Sequence, residues 1–261
     1  MVNKLILQSV INKYYLGEVE SVKWKIKDKV LTIDFMSINK EVIGNVTHTD
    51  IDIEDSDLAI FDTKKLLNLI NITSGDLLIT LEKTKSICTK LYLADSDFNL
   101  TYALSDPLLI AKPGTVDEVK WDATLPLEKE QVDNLIKAKS ALAGVGNMTL
   151  SPDKDLDGGD LCVVTFGDEQ GHNNKIVYNL LGDIRQADVS IPFNSDMFKT
   201  ILNANKDLEE GILYLSYQGL LKLEFKSENT TSTYYMIRKE ESAFWYVLTN
   251  NIVARAQVIL L

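Results

Sequence analysis

The fold is decided by residues 58–81, LAIFDTKKLLNLINITSGDLLITL, because residues 190–215, SIPFNSDMFKTILNANKDLEEGILYL, follow the same plan. The two stretches align at a constant offset of 132 residues, which continues into the sequence that follows each of them. The aligned pairs are Phe61 and Phe193, Leu66 and Phe198, Asn71 and Asn203, Leu91 and Leu223, and Tyr102 and Tyr234. A repeat of this length indicates two similar domains in tandem.

Each copy of the repeat begins with an apolar strand that leads into a residue suited to a helix N-cap, Asp62 in the first copy and Asn194 in the second. A short amphipathic helix and further strands complete the copy. With 261 residues, the chain is long for one domain and sufficient for two of about 130 residues each. We therefore predict an α+β protein built from two tandem domains of similar fold.

The predicted domains cover residues 1–106 and 119–240. The intervening residues 107–118 contain two prolines and a glycine, which favours an extended interdomain connector. Residues 241–261 form an apolar and aromatic-rich tail that has no counterpart in the first half. The tail has no role that the repeat can explain.

Hydrophobic periodicity predicts one order of elements in each half: a helix, several strands, a second helix and several more strands. The predicted helices cover residues 3–15, 63–72, 128–143 and 195–205. The predicted strands flank a turn at 27–29 and then cover 41–48, 57–61, 77–82, 87–94, 98–104, 146–150, 161–167, 175–181, 187–193, 211–217, 220–227 and 231–238.

The composition is that of a globular protein with an acidic balance. The formal net charge is −11 and the pI is about 4.7, which argues against nucleic-acid binding over the whole surface. Cys88 and Cys162 lie in strand-like sequence in different halves, so we predict reduced core residues. The N-terminal sequence lacks the features of a signal peptide, and no apolar run is long enough to span a bilayer, which predicts an intracellular protein.

No motif indicates catalysis, a cofactor or a metal. The acidic segment 153–158 resembles the start of a calcium-binding loop, but Val164 occupies the position that needs an acidic ligand, so we predict a turn. His48 and His172 have no ligand-like neighbours at metal-binding spacing and are predicted to be solvated residues at strand ends. The sequence therefore favours a protein that is not an enzyme.

The four predicted helices share one property, because the face opposite each apolar stripe carries lysine and asparagine rather than acidic residues. Lysine suits any solvated helix face, but agreement among four helices in an acidic protein favours a segregated basic surface. Such a surface would contact phosphates without reading a base sequence. The predicted residues are Lys4, Lys13, Lys64, Lys65, Asn68, Asn134, Lys137, Lys139, Lys199, Asn203 and Lys206.

Three stretches resemble the DNA sliding clamps, and most closely the polymerase processivity factors of tailed bacteriophages. They are DLAIFDTKKLLNLI (residues 57–70), ADSDFNLTYALSDPLLIAKPG (94–114) and VYNLLGDIRQADVSIPFNSDMFKTIL (177–202). The tandem domains, the basic helices, the acidic remainder and the extended connector support the same resemblance, which covers roughly residues 1–240. The tail 241–261 departs from the family pattern.

The resemblance implies a homotrimeric ring in which the helices line a hole around duplex DNA and the sheets form an outer wall that joins edge to edge between copies. The ring would tether a DNA polymerase, and a separate ATP-dependent clamp loader would open it. Partner proteins would insert apolar peptides beside the connector, against Leu108, Leu109 and Ile110, although these residues could instead only pack the connector down. No cofactor, metal or membrane is implied, and a viral protein of this kind would act in the host cytoplasm.

Two other functions remain open from the sequence. A structural protein of a virion or another assembly, built from duplicated β-rich domains, would share the acidic charge, the repeat and the absence of a catalytic motif. It would not need lysine on four helix faces. An enzyme with an unrecognised site has the least support.

Overall fold

The computed structural model describes residues 1–167 and 174–239, so His172 and the tail 241–261 lie outside the described residues. The helices are α1 (Lys4–Tyr15), α2 (Thr63–Ile72), α3 (Lys129–Ala141) and α4 (Ser195–Ala204). The strands of the first half are β1 (Val2–Asn3), β2 (Val22–Lys27), β3 (Val30–Met36), β4 (Val42–His48), β5 (Ser56–Ile60), β6 (Asp76–Thr84), β7 (Ile87–Ala94) and β8 (Asn99–Ala103). Those of the second half are β9 (Ala123–Pro126), β10 (Asn147–Lys154), β11 (Asp160–Phe166), β12 (Ile176–Leu181), β13 (Asp183–Ile184), β14 (Ile191–Asn194), β15 (Glu210–Ser216), β16 (Leu220–Ser227) and β17 (Thr230–Ile237).

The predicted order of elements is confirmed in both halves. Asp62 caps α2 by accepting a hydrogen bond from the Lys65 backbone N–H at 2.8 Å. Asn194 caps α4 in the same way, because its side chain accepts from the backbone N–H groups of Asp196 and Met197. The repeat therefore places equivalent caps, and each starts a helix of ten residues.

The strands form three sheets. The first half contributes a sheet of order β1-β6-β7-β8, and the second half a sheet of order β12-β11-β10-β14. The third sheet, β13-β9-β15-β16-β17-β4-β3-β2-β5, contains strands of both halves. The two halves are thus joined by backbone hydrogen bonds as well as by the chain itself, and β8 and β12 are each the edge strand of a four-stranded sheet.

The junction between the halves is the antiparallel pair β4 and β17. Gly44 lies opposite Tyr234 in this pair, and the ring of Phe35 packs edge-on against the Tyr234 ring at 5.8 Å. A Cβ atom on Gly44 would lie only 2.3 Å from the Phe35 ring and 2.7 Å from the Thr233 carbonyl oxygen. Glycine is needed here because the aromatic ring occupies the space of a side chain.

Burial in the strands follows their alternation, with one exception to the sequence predictions at His48. Cys88 and Cys162 are buried free thiols, as predicted. His48 was predicted to be solvated, but only 5% of its surface is exposed, because β17 pairs with the whole length of β4 and covers its last residue. The short strands β1, β9 and β13 were not predicted from the sequence, since two to four residues give too short a pattern to identify.

The connector begins with a short 3-10 helix, Pro107–Leu109, and has no further regular structure before β9. Just before the connector, the Ser105 backbone N–H donates to the Ala59 carbonyl of β5 at 3.0 Å. Just after it, the Trp121 ring packs 5.6 Å from the Tyr214 ring of β15. Crossing from β5 to β15 takes six strand spacings, about 29 Å. Residues 110–121 can span about 37 Å when fully extended, so the connector crosses the outer sheet with little slack.

Candidate nucleic-acid interface

The four helices form one row in the order α2, α1, α4, α3. Helix α1 packs beside α2 and beside α4, and α4 packs beside α3. Each helix turns its apolar residues onto the sheets, as Leu7 and Val10 of α1 and Phe198 and Ile201 of α4 show. The row therefore presents four helix faces on one side of the molecule.

The charge of these helices differs in sign from that of the rest of the chain. The four helices together contain eight lysines and three carboxylates. The whole chain contains 27 lysines and arginines and 38 aspartates and glutamates, so the acidic excess lies in the strands and loops. The predicted segregation of charge between helices and the remainder is thus present in the structure.

Most of the predicted basic surface is accessible. Lys199 and Asn134 are half-buried in the surfaces of α4 and α3. The exposed members of the predicted set are Lys64, Lys65, Asn68, Lys137, Asn203 and Lys206. Within residues 1–167 and 174–239, none of these lysines lies within salt-bridge distance of a carboxylate.

Lysines on the sheets behave differently. In the strands of the described ranges, seven of the eight lysines lie within 4.0 Å of a carboxylate, for example Lys25 at 2.8 Å from Asp34 and Lys90 at 2.9 Å from Glu82. The sheet lysines are therefore largely neutralised by the protein itself. The exposed lysines of the helix row keep their charge available for an external anion.

Lys13 was predicted to face outward, and this prediction is wrong. Only 2% of its surface is exposed, and its ammonium lies 2.5 Å from the Asp207 carboxylate and 3.1 Å from the Ala204 carbonyl oxygen. Burial lowers the pKa of Lys13, and Asp207 opposes this shift. Helix α4, which packs against α1, covers a position that is solvated in an isolated helix.

Lys139 was also predicted to face outward and is also buried, with 1% of its surface exposed. Its ammonium lies 2.8 Å from Asp196 at the start of α4 and donates to the carbonyl oxygens of Leu142 and Ala143 at the end of its own helix. These acceptors are backbone groups that a helix end leaves unpaired. Lys139 thus fixes the end of α3 against α4.

Lys4 has a similar structural role at the other side of α1. It is half-buried and donates to the carbonyl oxygens of Asn71 and Thr73 at the end of α2. A lysine at a helix C-terminus is favourable because it satisfies carbonyl groups and complements the helix dipole. Helix α1 therefore uses both of its lysines inside the protein.

Two features of the row were not predicted from the sequence. Lys129 is exposed in the first turn of α3, although its position in front of Glu130 gave no sign of a basic face. Open cavities also lie between the helices, one of about 400 Å³ beside Lys4 and Gln8 and one of about 260 Å³ beside Asn12. Both are shallow grooves along the row.

The structure separates the three residues predicted to form a peptide pocket. Leu108 and Leu109 are 90% and 74% exposed, whereas Ile110 is buried beneath them. Ile110 therefore packs the connector down, and the two leucines remain available on the outer surface. As two adjacent exposed leucines, they form a small apolar patch beside the connector.

The acidic segment 153–158 forms the hairpin between β10 and β11. The Asp155 carboxylate accepts hydrogen bonds from the backbone N–H groups of Asp157 and Gly159, as expected of a turn. In the described ranges, no three carboxylate, histidine or cysteine side chains group as a metal site. The described helices also include none with the length and apolar character needed to cross a membrane.

Comparison with known proteins gives a uniform result for the fold. No protein-family model matches the sequence, and no curated protein was found to match it. A chain in the structure of the C-terminal region of FEN-1 bound to A. fulgidus PCNA matches with a TM-score of 0.73 and 14% identity, over 92% of this chain and 98% of that one. Proliferating Cellular Nuclear Antigen from Entamoeba histolytica matches with a TM-score of 0.71 and 15% identity, over 91% and 96%.

A chain of the PCNA2-PCNA3 complex from Sulfolobus tokodaii matches with a TM-score of 0.69 and 11% identity, over 92% of this chain and 98% of that one. The agreement extends over nearly the full length of each protein, including both halves of the repeat and the row of helices. The chain therefore has the two-domain clamp fold that these PCNA structures share.

Proposed function

We propose that this protein is a DNA sliding clamp, which closes with further copies of itself into a ring around duplex DNA and tethers a DNA polymerase during synthesis. The observation that carries the proposal is the unpaired lysine surface of the helix row in a protein of net charge −11. Cations without an internal partner attract phosphate groups, while the acidic remainder repels DNA from the outer wall. The protein itself catalyses no reaction.

The internal repeat indicates how copies would join. Within the chain, β17 of the second half pairs with β4 of the first half, and this pair closes the domain junction. The counterpart of β17 in the repeat is β8, and the counterpart of β4 is β12, and both are edge strands. Pairing β8 of one copy with β12 of the next would repeat the same antiparallel junction and cover both edges.

This head-to-tail contact is heterologous, so it generates a closed ring when the rotation per domain fits a whole number of copies. Three copies would supply six domains, which is the arrangement that the resemblance to phage processivity factors implies. The similar structure from Sulfolobus tokodaii is a PCNA2-PCNA3 complex, which is in keeping with association between chains of this fold.

The proposed partners are a DNA polymerase, which the ring retains at its template, and an ATP-dependent clamp loader that opens the ring. The exposed pair Leu108 and Leu109 supplies an apolar surface on the outer wall for a partner peptide. One similar structure contains a C-terminal region of FEN-1 bound to A. fulgidus PCNA, which supports peptide docking as a mode of recognition for this fold. The proposed site of action is inside a cell, in the host cytoplasm for a viral protein.

The solution mass tests the proposal directly. Light scattering over a range of concentrations should detect a species near three times the chain mass of 29.3 kDa, which dissociates on dilution. The same species should bind a long closed-circular duplex and be released when the circle is cut, because a ring slides off a free end. A protein that remains monomeric at every concentration, with and without DNA, contradicts the clamp and favours the structural-protein alternative.

A further inference from the structure

We propose that the DNA-binding surface of the ring is divided into sectors that two neighbouring copies complete together, with the middle and C-terminal turns of α1 as a neutral spacer between them. This inference rests on the proposed ring. It specifies which part of the ring binds phosphates and how DNA affects the association of the copies. Three observations carry it. The lysines of α1 contact neighbouring parts of the protein, the other lysines of the row lie towards its two ends, and β8 and β12 are edge strands that can pair with another copy.

Helix α1 has little positive charge available beyond its first turn. The half-buried Lys4 donates to carbonyl oxygens at the end of α2, so its charge lies at the α2 side, and Lys13 is buried against Asp207. The other accessible polar residues along α1 are neutral: Gln8, which donates to Asn71 at 2.6 Å, Ser9, which donates to Asp207, and Asn12. Neutral amides contact phosphates much more weakly than ammonium groups do, so α1 interrupts the basic surface.

The other lysines of the helix row without a carboxylate partner lie on α2, on α3, on α4 and directly after α4. Lys64 and Lys65 are on α2, which is one end of the row, and Lys129 and Lys137 are on α3, which is the other end. Lys199 and Lys206 belong to α4 and the residues after it, next to α3. Each chain therefore has cations at both of its ends and a gap in its interior.

Joining the ends changes this distribution. When β8 of one copy meets β12 of the next, α2 of the first copy comes next to α3 of its neighbour. The lysines of α4, α3 and the neighbouring α2 then form one continuous sector across the contact between copies. Without DNA, cations of two chains face each other and oppose association; a phosphate backbone along the sector neutralises both sides. DNA thus acts as a counter-ion that strengthens the closed ring.

The test measures the dissociation constant between copies with and without a short duplex. A duplex at ten times its own dissociation constant should tighten association about tenfold if only the assembled sector binds it well. The double variant Lys65→Gln/Lys137→Gln removes one cation from each side of the contact. It should associate without DNA at least as tightly as the wild type, and the tightening by DNA should be lost.

The matched control is Lys25→Gln/Lys27→Gln, which removes the same charge from exposed positions of β2 in the nine-stranded sheet, outside the proposed sector. Each variant is measured with the duplex at ten times the dissociation constant of that variant for DNA. Under this condition, DNA should still tighten the association between copies of the control variant. An equal loss in both double variants, or a loss in neither, overturns the shared sector while leaving the ring intact. Copies that do not associate under any condition overturn the ring itself, and the shared sector with it.

Discussion

The Lys13 ammonium lies 2.5 Å from the Asp207 carboxylate and joins α1 of the first domain to the segment that follows α4 of the second. The same residue is held from its backbone side, because the Tyr234 hydroxyl donates to the Lys13 carbonyl oxygen at 2.8 Å. Tyr234 in turn accepts from the Asn205 side chain at 2.9 Å. Lys13, which the sequence pattern predicts to contact DNA, is therefore part of the domain junction.

Removing the two members of this pair should have unequal effects. Asp207→Asn leaves a buried ammonium without its carboxylate, and we expect the free energy of unfolding to fall by about 2 kcal/mol, less than for a fully buried pair because Asp207 is half exposed. Lys13→Met removes the buried charge together with its desolvation cost, so its loss should be smaller. Urea unfolding of both variants measures the difference.

The double variant Lys13→Met/Asp207→Asn provides the control for that pair. It should be about as stable as Lys13→Met alone, because the carboxylate has no partner once the ammonium is gone. Additive losses from the two single substitutions would contradict an ion pair as the source of the effect.

His48 should make the stability of the domain junction depend on pH. Its Nδ1 atom lies 2.8 Å from the Thr230 hydroxyl of β17, and burial lowers the pKa of His48 below its usual 6.5, with Asp50 opposing the shift. Between the lowered pKa and 6.5, His48 is therefore protonated more in the unfolded chain than in the folded protein. Stability is therefore complete above pH 6.5 and should decline as the pH falls from there toward the lowered pKa.

The measurement is the urea midpoint of wild type and His48→Gln between pH 7.5 and pH 5.5. Glutamine can still hydrogen-bond Thr230 but does not titrate, so the variant should lose less stability over this range. The same pH dependence in both proteins would assign the effect to other groups.

Gly44→Ala should destabilise the protein strongly, because the added Cβ would overlap the Phe35 ring and the Thr233 carbonyl oxygen. We expect a loss of about 2–3 kcal/mol, as for other overpacked core positions. Gly114→Ala is the matched control, since nothing lies within 4 Å of the added atom in the connector. Thermal unfolding of the two variants should separate them clearly, and equal midpoints would show that the junction can shift to accommodate the methyl group.

Charge reversal on the helix row should weaken DNA binding in proportion to the phosphate contacts that are lost. In the variant Lys64→Glu/Lys137→Glu/Lys199→Glu, the slope of log affinity against log salt should decrease by about 0.9 for each phosphate that the protein no longer neutralises. Reversal of Lys25, which is paired with Asp34 on the outer sheet, is the control and should leave DNA binding unchanged. Processive synthesis that survives the triple reversal would contradict a basic lining.

A proline in β8 should block the contact between copies while preserving the fold. Leu104 donates to the Thr89 carbonyl, so the alternating Thr101 directs its backbone N–H toward the edge of the sheet. Thr101→Pro removes this outward donor and leaves the β7–β8 ladder intact. Light scattering should show a monomer for Thr101→Pro and an unchanged ring for Thr101→Val, which keeps the donor; assembly of the proline variant would mean that β8 does not form the contact.

The sequence predicted local structure well and contacts between distant segments poorly. Helix α2 was predicted with its observed bounds because Asp62 and the apolar spacing are both local signals. Lys13 and Lys139 were misplaced because their covering residues, Asp207 and Asp196, lie far along the chain, and periodicity within one helix cannot identify a neighbouring helix. His48 was misplaced for the same reason, since Thr230 lies 182 residues away.

The connector that crosses the outer sheet has a further consequence. The distance from Ile110 to Trp121 is most of the length that these residues can span when extended. The number of residues in this segment is therefore constrained more strongly than their identity. Single substitutions between these two anchor points should be accepted, whereas deletion of a few residues would pull on Ile110 or Trp121 and strain the pairing of β9 with β15. In evolution, the amino-acid sequence of such a segment would vary freely, whereas its number of residues would change very little.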